Sequence, residues 1–342
     1  MIRRILFLAA LAAAVAACGE KPEPTAGTST AKEPFTVLLD YVPNADHAGI
    51  YAAQAAGLYA KAGLDVKIQA PPDPSAPLKL LQAGRADVAI SYEPELMLAR
   101  DAGAAGLVAV GALVQEPLTS LMALPAGKVS SAQDLTGKRV GTAGIPYQSA
   151  YLKTIEAKAG VTGVKETNVG FNLVPAMVSK KVDATLGAFW NVEGVDLQRR
   201  GAKPVILKMP DLGVPTYDEL ILVARAKDLN AAGASRLRRF LQATAGGHRL
   251  LQDDPEVGVD ALLKAEKGQD RALVDAQVRA TLPAFFPKDK TKPWGYMEAQ
   301  QWAAYELWMR DNKLLTRPPS DASPLTNEFL PGASVGASEG GG

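Results

Sequence analysis

Apolar and polar positions along the chain alternate between a strand-like period and a helical period. Short β-rich runs, several with a two-residue period, are each followed by a segment whose apolar residues recur at helical spacing. Strands that alternate with helices in this way indicate an α/β fold with a mainly parallel, doubly wound sheet. Up to residue 110 the predicted strands are 35–39, 64–68, 86–90 and 107–110, and the predicted helices are 47–62, 76–82 and 95–102.

The same alternation begins again after Leu124 and gives way to an almost purely helical pattern after Ala224. Two α/β units of similar build, followed by a helical region, predict a molecule with two lobes. The second set of predicted strands is 138–141, 164–168, 184–187 and 204–207, with helices at 148–159, 175–181 and 192–200. The C-terminal helices are predicted at 235–252, 257–264, 272–281 and 296–312.

We expect the chain to cross between the lobes at two short apolar runs with polar flanks, 119–124 and 219–224. The first lobe then comprises 35–118 together with 225–315, and the second lobe comprises 119–224. Because the helical region completes the first lobe, that lobe is discontinuous in sequence. Two crossings would form a hinge, which lets the lobes close through modest backbone rotations.

Residues 1–17 have the three-part layout of a secretory signal peptide. A short positive segment precedes an apolar run, and small residues lead up to Cys18. This layout resembles the bacterial lipoprotein signal, in which the thiol is diacylated and becomes the new N-terminus. The alternative is an ordinary signal peptide with an incidental cysteine. The lipoprotein interpretation places the chain on the extracytoplasmic face of the cell membrane, held there by lipid.

Two segments are expected to lack a fixed fold. Residues 18–34 are rich in Pro, Thr, Ser and Gly and cannot bury enough apolar surface to offset their ordering entropy, which predicts a flexible tether. Residues 316–342 carry several prolines and end in three glycines, which predicts a disordered tail. The alternative is a tail that wraps the domain through Leu325, Phe329 and Leu330.

Composition removes several classes of function. The 342 residues include 37 Lys and Arg against 36 Asp and Glu, and 47% are hydrophobic, so neither a nucleic-acid partner nor a disordered chain is expected. Cys18 is the single cysteine, which leaves no disulfide, thiolate metal site or cysteine nucleophile. The two histidines, His47 and His248, make no persuasive metal site.

An export signal, two α/β lobes and a helical C-terminal region together predict the type II periplasmic-binding-protein architecture. In such folds a ligand lies in the cleft outside the carboxyl ends of the strands. Segment 40–51 follows the first predicted strand and opens the first helix, so we expect its polar and aromatic residues at this cleft. Within it, Pro43 stiffens the turn, and Asn44 or Asp46 can cap the helix.

Segment 40–51 resembles the D-W-x-P-N-x-x-H-x-G-x-Y pattern of the solute-binding proteins for pyrimidine precursors of thiamine. These proteins share their fold with the enzymes that synthesise that pyrimidine. The chain has Tyr41 where the pattern most often has Trp, and a tyrosine still offers a stacking face for a heteroaromatic ring. The resemblance covers about 35–224, with further matches at 57–59, 63–66, 84–93, 134–141, 189–194 and 213–220.

The resemblance implies a lipid-anchored, monomeric solute receptor of an ABC importer, with no enzymatic activity and no cofactor. Its ligand would be a formylated or hydroxymethyl aminopyrimidine, and its closed form would dock on a membrane permease. Open alternatives are a receptor for riboflavin or another heterocycle, a receptor for an alkanesulfonate- or nitrate-like anion, and an enzyme of pyrimidine synthesis. An anion site would need an arginine or lysine in the cleft, and the matched segments offer none there.

A site for an aminopyrimidine needs aromatic faces for the ring and polar groups for its edge. Glu193 or Glu93 could accept hydrogen bonds from the exocyclic amine, and Asn44 suits an edge with a ring nitrogen and an amine. Each residue also has a structural alternative, as a core aromatic, a helix cap or a solvated carboxylate. The aromatic candidates, drawn from both lobes, are Tyr41, Tyr92, Phe189, Trp190 and Tyr217.

His47 has two interpretations. The synthase relatives use a histidine in this motif as a reactive group, bind pyridoxal phosphate through a lysine and carry a cysteine-rich segment for iron. Here the single cysteine lies at position 18, so that iron chemistry has no ligands, and the export signal also argues against the enzyme. His47 is then either a hydrogen-bonding residue of the cleft or a packing residue at the helix start.

Overall fold

The computed structural model describes residues 31–319 and 322–332. The predicted signal peptide, the lipidation site Cys18 and most of the predicted tether lie outside the described residues. The end of the predicted tether is wrong for Glu33 and Pro34, which belong to the first strand and pair with Leu64 and Asp65. In the part of the chain that is described, no helix is long and apolar enough to cross a membrane.

Ten strands and eleven α-helices make up the described fold. The strands are β1 Glu33–Leu38, β2 Leu64–Gln69, β3 Val88–Ser91, β4 Leu107–Val114, β5 Thr119–Ala123, β6 Arg139–Thr142, β7 Lys165–Asn168, β8 Ala184–Phe189, β9 Val205–Lys208 and β10 Leu220–Arg225. The helices are α1 Ala48–Ala55, α2 Leu58–Lys61, α3 Pro77–Gln82, α4 Glu93–Asp101, α5 Pro146–Ala159, α6 Leu173–Val178, α7 Glu193–Arg199, α8 Ala231–Asp253, α9 Glu256–Ala265, α10 Arg271–Thr281 and α11 Ala299–Asp311.

The strands form two five-stranded sheets, in the orders β2-β1-β3-β10-β4 and β7-β6-β8-β5-β9. The predicted α/β fold class is confirmed, but the sheets are mixed rather than mainly parallel. In the first sheet β1 runs parallel to β2 and β3, while β10 is antiparallel to β3 and β4. In the second sheet β6 runs parallel to β7 and β8, while β5 is antiparallel to β8 and β9. The two antiparallel strands are the segments at which the chain passes from one sheet to the other.

The predicted helix over 47–62 is divided in two. His47 ends a short 3-10 helix, Ala45–His47, and α1 stops before Gly57, which has a φ of 68° and lets the chain turn into α2. Glycine adopts this left-handed conformation without the steric cost that a Cβ would bring.

Helices α1 and α8 cross at close range. A Cβ placed on Gly49 of α1 would lie 2.3 Å from Cε1 of His248 in α8, so this position has room only for hydrogen. The long helix α8 also packs on α2 and β2, and α9 packs on α1. These helices therefore cover the first sheet and place the start of α1, which follows the segment 40–47, against a rigid layer.

The last two helices reach both sheets. Helix α10 packs on α9 and also on α7, which follows the second sheet's strand β8. In α11 the ring of Tyr305 lies 5.1 Å from the ring of Tyr217, and its hydroxyl forms a hydrogen bond with Tyr151 of α5.

The expectation of a disordered tail over 316–342 is wrong for residues 322–332. Leu325 forms a parallel bridge with Ala109 of β4, and Phe329 and Leu330 are buried. Strand β4 lies at the edge of the first sheet, so its backbone groups need partners, and the amide of Thr326 donates to Ala109 O at 2.9 Å. The wrapping alternative therefore describes this stretch. Residues 333–342 lie outside the described part.

Candidate ligand-binding site

The segment after β1 is held by its own side chains. Asn44 caps the 3-10 helix: its Oδ1 accepts from the amide of Asp46 at 2.8 Å, and its backbone amide donates to Nδ1 of His47 at 3.2 Å. Its Nδ2 donates to the carbonyl of Val42 at 3.2 Å. Much of the hydrogen-bonding capacity of Asn44 is therefore used inside the loop, although the residue borders the cleft.

Asp40 links this segment to the next strand of the sheet. Its Oδ1 lies 2.8 Å from Nε2 of His47, and its Oδ2 accepts from the hydroxyl of Tyr92 at 2.7 Å. All three side chains are buried. Because Nδ1 of His47 accepts from the Asn44 amide, Nε2 carries the proton that is donated to Asp40. The sequence motif contains Asp40, but its function as the partner of both His47 and Tyr92 was not predicted.

His47 is a positioning residue. Both ring nitrogens are used within the protein, and the imidazole is not among the residues that line the cavity described below. Of the two interpretations of this histidine, the structure favours packing and hydrogen bonding at the helix start.

A small cavity lies where the carboxyl ends of β1, β3 and β8 meet. Five of the predicted site residues line it: Tyr41, Asn44, Tyr92, Phe189 and Glu193. Six residues that were not predicted complete the wall: Ala143, Ile145, Gln148, Leu173, Gly187 and Val192. Its free volume is about 20 Å³, room for one water molecule. None of the described residues that line it is an arginine or lysine, which does not suit an anionic ligand.

Glu193 supplies the carboxyl group of the cavity. It is the first residue of α7, and its Oε2 accepts from the backbone amide of Phe189 at 2.8 Å. Burial raises the pKa of this carboxyl to about 7, although the hydrogen bond from Phe189 opposes that change. Near neutral pH the group is therefore able both to accept a hydrogen bond and to take up a proton.

Tyr41 forms the outer wall of the cavity, and Phe171 packs against it from the adjoining groove. Their rings meet edge to face, with centroids 4.4 Å apart and an interplanar angle of 87°. The hydroxyl of Tyr41 is buried and has no hydrogen-bond partner among the described residues. Burial raises its pKa well above the ordinary value, and the charges of Glu193 and Asp40 add to the effect. Outside this wall a groove of about 500 Å³ shares Tyr41, Asn44 and Glu193 with the cavity.

Besides His47, three predicted site residues lie outside the cavity: Trp190, Tyr217 and Glu93. Trp190 donates from Nε1 to the carbonyl of Pro117 at 3.1 Å, with Nζ of Lys208 4.2 Å from its ring centroid. Tyr217 is a fully buried core residue whose hydroxyl donates to Glu219. Strand ends place a residue near the cleft edge, but the side chain direction decides whether it reaches the cavity.

Glu93, the third of these, is fully buried and bonds to the backbone instead. Its Oε2 accepts from the amide of Asp218 at 2.7 Å, and the Asp218 carboxylate accepts from Nε1 of Trp302 at 2.7 Å. Burial raises the pKa of Glu93 well above its ordinary value, and the neighbouring Asp218 charge adds to this. Glu93 is therefore better described as a structural residue at the start of α4 than as a ligand-binding residue.

A further buried carboxylate, Glu219, joins the two segments that connect the sheets. Its Oε2 accepts from the amides of Leu118 and Thr119 at 2.7 and 2.8 Å, and its Oε1 accepts from the Thr119 hydroxyl at 2.8 Å. Burial raises the pKa of Glu219 to about 7. The side chain of Glu219 therefore links the two connections between the sheets through its hydrogen bonds.

Comparison with known proteins identifies the family. The sequence profile described as NMT1/THI5 like matches residues 44–257. The chain belongs to the NMT1/THI5-like family. The matched range contains every cavity residue except Tyr41. The resemblance predicted from segment 40–51 is thereby confirmed.

Two relatives show the range of this NMT1/THI5-like group. The formylaminopyrimidine-binding protein of Halalkalibacterium halodurans is 32% identical over 298 residues, which cover 86% of this chain and 90% of the relative. The 4-amino-5-hydroxymethyl-2-methylpyrimidine phosphate synthase of Legionella pneumophila is 26% identical over 308 residues, which cover 89% of this chain and 94% of the relative. Relatives of this NMT1/THI5-like chain thus include a binding protein and an enzyme.

The fold of this NMT1/THI5-like chain is similar to that of solved binding proteins. The alkanesulfonate-binding protein from Xanthomonas axonopodis pv. citri, bound to MOPS, superposes with a TM-score of 0.66 over 84% of this chain and 95% of that chain, at 18% identity. At that identity the likeness establishes the periplasmic-binding-protein fold alone.

Proposed function

We propose that the chain is the solute-binding protein of an ABC importer and that its ligand is a formylated or hydroxymethyl aminopyrimidine. The observation that carries this proposal is the cavity wall: aromatic rings, one carboxyl group and no arginine or lysine among its described residues. The 32% identity to a formylaminopyrimidine-binding protein over most of both chains supports the same ligand class.

The aromatic rings would hold the heterocycle between them. Tyr41 offers a ring from the segment after β1, and Phe189 offers one from the end of β8. Phe189 replaces Trp190 in this role because the Trp190 indole is bonded to Pro117 outside the cavity. Glu193 would accept from the exocyclic amine, and a half-buried carboxyl left without that partner would disfavour rings that lack it.

Opening and closing of two lobes would admit the ligand. We propose that each lobe is built around one of the two sheets. Strand β10, which the sequence-based division left in the second lobe, belongs to the first sheet, so the proposed lobes are 35–118 with 220–315 and 119–219. A pyrimidine ring is much larger than the free volume of about 20 Å³, so the cleft must widen before it binds. Rotation about the two connections near Glu219 would supply this movement.

We also propose that the protein acts as a monomer without catalytic activity. The synthase relatives make an enzyme the natural competitor, but the cysteine-rich iron segment of those enzymes has no counterpart in a chain whose single cysteine is Cys18. His47, the residue at the reactive position of the motif, is bonded to Asp40 and to the Asn44 amide instead of facing the cavity.

Membrane attachment is part of the proposal. Lipid on Cys18 would hold the receptor on the extracytoplasmic face beside its permease. Replacing Cys18 with serine is expected to move the protein from the membrane fraction to the soluble fraction. Retention of the Cys18→Ser protein in the membrane fraction at the unaltered level would contradict the lipid anchor and leave the ligand proposal standing.

A thermal-shift screen tests the ligand class. Formylated and hydroxymethyl aminopyrimidines should raise the unfolding midpoint by several degrees, because a ligand at 100 times its Kd stabilises by about 2.7 kcal/mol. Riboflavin and an alkanesulfonate are the comparison ligands and should leave the midpoint unchanged. A shift with one of those two and none with the pyrimidines would contradict the proposed ligand.

A further inference from the structure

Gln148 is the least expected polar residue of the cavity. It lies in the first turn of α5 and is only 1% exposed, yet it lines the same cavity as Gly187 and Glu193. A buried side-chain amide needs hydrogen-bond partners for its oxygen and for both nitrogen hydrogens. The positions of the Gln148 amide oxygen and nitrogen therefore show which hydrogen-bonding group faces a ligand.

The orientation of the amide is fixed by its neighbours. Oε1 accepts from the backbone amide of Ala143 at 2.8 Å, and only the oxygen of the amide can do so. Nε2, with its two hydrogens, therefore remains for other acceptors. Burial raises the pKa of the adjacent Tyr147 well above its ordinary value, and a hydrogen bond with Gln148 is among the smaller effects that oppose this.

Gly187 leaves the space that Nε2 occupies. A Cβ on Gly187 would lie 2.2 Å from Nε2 of Gln148, closer than any real contact, and the φ of 118° is one that other residues rarely adopt. Gly187 is the unpaired residue of a bulge in β8, because Ser120 pairs with Ala188 and Leu121 pairs with Leu186. A glycine inside a strand marks such a bulge or a close backbone approach, and here the missing side chain also lets the Gln148 amide lie against the strand at the cavity.

The donor and the carboxyl group lie close together along β8. Gln148 lies against Gly187, and Glu193 is bonded to the amide of Phe189, two residues further on. Two residues of a strand span roughly 7 Å, so one small ring with hydrogen bonds at its edge can reach both groups.

Asn44, the sequence-based candidate for this edge, is less free. Its Oδ1 accepts from Asp46, and its Nδ2 donates to Val42 within the loop. In Gln148 the oxygen is committed to a backbone amide, and Nε2 has a second hydrogen beyond the one directed at Tyr147.

We propose that Gln148 determines specificity by donating from Nε2 to a ring nitrogen that lies beside the amine bound by Glu193. The inference rests on the proposed function and names the ligand more closely: a heterocycle whose edge carries an acceptor nitrogen next to an amino group. A ring with the amine alone would leave the buried donor of Gln148 unpaired and would bind more weakly.

Two rings and two variants test the proposal by calorimetry. The probes are the formylated aminopyrimidine and an analogue in which the ring nitrogen next to the amine is replaced by C–H. The unaltered protein should bind the pyrimidine about fivefold to a hundredfold more tightly than the analogue. Gln148→Met, which removes the donor, and Gly187→Ala, which displaces it, should each reduce this preference to within about twofold.

Gln54→Met, which removes the amide that donates to Val66 O outside the cavity, is the control and should keep the preference.

The outcomes separate the inference from the proposed function. Equal affinity of the unaltered protein for both rings would overturn the role of Gln148 while the receptor for aminopyrimidines stands. An undiminished preference in a folded Gln148→Met protein would do the same. If neither ring binds the unaltered protein, the proposed ligand and the role of Gln148 both fall. If Gln148→Met does not fold, the role of Gln148 is tested by two affinity ratios between the two rings, one for the unaltered protein and one for Gly187→Ala.

Discussion

At the residue scale, Glu193 lines the cavity and is held in place by a hydrogen bond to the backbone. Its Oε2 is bonded to the Phe189 amide, and its pKa is raised to about 7 by burial. Glutamine at this position keeps the size of the side chain but replaces one acceptor oxygen with a donor. Such a change acts on recognition of an amine more than on the shape of the cavity.

We expect Glu193→Gln to weaken binding of amine-bearing pyrimidines by about tenfold or more, because the variant presents a donor to the ligand's donor. Deaminated analogues should lose much less. Isothermal titration of both ligands measures the difference. Glu298→Gln, the same change at an exposed glutamate before α11 that lines neither the cavity nor the groove, is the matched control and should bind like the unaltered protein. Equal losses for amine-bearing and deaminated rings would exclude Glu193 as the partner of the amine.

The sequence could predict which residues lie near the cleft, but not which of them face it. Tyr41 and Phe189 were predicted and line the cavity, whereas Tyr217, equally aromatic and near a strand end, is a core residue. The difference arises from side chain direction, which the packing of α11 and α5 around Tyr217 decides. Gln148 and Gly187 had no motif to mark them, since their relation exists only across two elements.

At the element scale, the crossing of α1 and α8 is the tightest helix contact that supports the site. Gly49→Ala would place a methyl group 2.3–2.4 Å from three atoms of the His248 ring. Overpacking costs about 1–3 kcal/mol, and three buried ring atoms at this distance argue for the upper end of that range. We therefore expect a net loss of about 2 kcal/mol after the ~1 kcal/mol that alanine gains in helix propensity.

Chemical denaturation checks the prediction for Gly49. The control is Gly106→Ala, since a Cβ there meets no atom within 4 Å and the φ is not positive. That variant should unfold at the same denaturant concentration as the unaltered protein, within error. If both alanine variants are equally stable, the helices do not meet as closely as described.

The connection between the sheets should make stability depend on pH. The pKa of Glu219 is about 7 in the folded protein, against 4.5 for an ordinary glutamate, so the folded state holds this proton more tightly than the unfolded state. Its stabilising effect is complete below about pH 4.5 and is lost as the pH rises through 7. Glu193 and Asp218, also raised to about 7, act in the same direction.

We therefore expect the free energy of unfolding to be larger at pH 5 than at pH 8. Glu219→Gln removes one titrating group and should reduce this difference by on the order of 1–3 kcal/mol. Urea unfolding at the two pH values, for both proteins, provides the comparison. If the free energy of unfolding of Glu219→Gln changes between pH 5 and pH 8 as much as that of the unaltered protein, the pH dependence arises from other groups.

Hydrophobic periodicity predicted most helices and strands within a few residues, because apolar spacing directly reflects burial on one face. It could not predict that β5 and β10 run antiparallel to their neighbours, since strand direction leaves no mark in that pattern. The order of residues 322–332 was missed for a related reason: backbone pairing with Ala109 and burial of Phe329 and Leu330 depend on an open sheet edge elsewhere in the chain.

At the scale of the whole molecule, one hydrogen-bonded group ties the two sheet regions together beside the cleft. Nδ2 of Asn191, in the connection after β8, donates to Asp46 Oδ1 and to Thr281 Oγ1, each at 2.6 Å. Asp46 precedes α1, and Thr281 ends α10. All three residues are fully buried, and in the proposed division Asn191 belongs to the second lobe whereas Asp46 and Thr281 belong to the first.

Removing the amide should favour the open form. We expect Asn191→Ala to increase the radius of gyration of the ligand-free protein in X-ray scattering, because the buried Asp46 carboxyl loses the nearer of its two donors, at 2.6 Å against 3.4 Å for the Thr281 hydroxyl. Saturating ligand should return the variant toward the closed dimensions. Arg271→Ala, which removes exposed ion pairs on α10, is the control and should scatter like the unaltered protein. A closed Asn191→Ala protein without ligand would show that this contact does not hold the lobes together.

The central claim is that the cavity between the two sheets binds an aminopyrimidine. Titration of the formylated aminopyrimidine into the unaltered protein, followed by calorimetry, tests it most directly. We predict saturable binding at one site per chain, and loss of about 1–3 kcal/mol of binding free energy in Phe189→Ala from removal of a stacking ring. No saturable heat with the pyrimidine, under conditions in which an alkanesulfonate or riboflavin does saturate the protein, would contradict the claim.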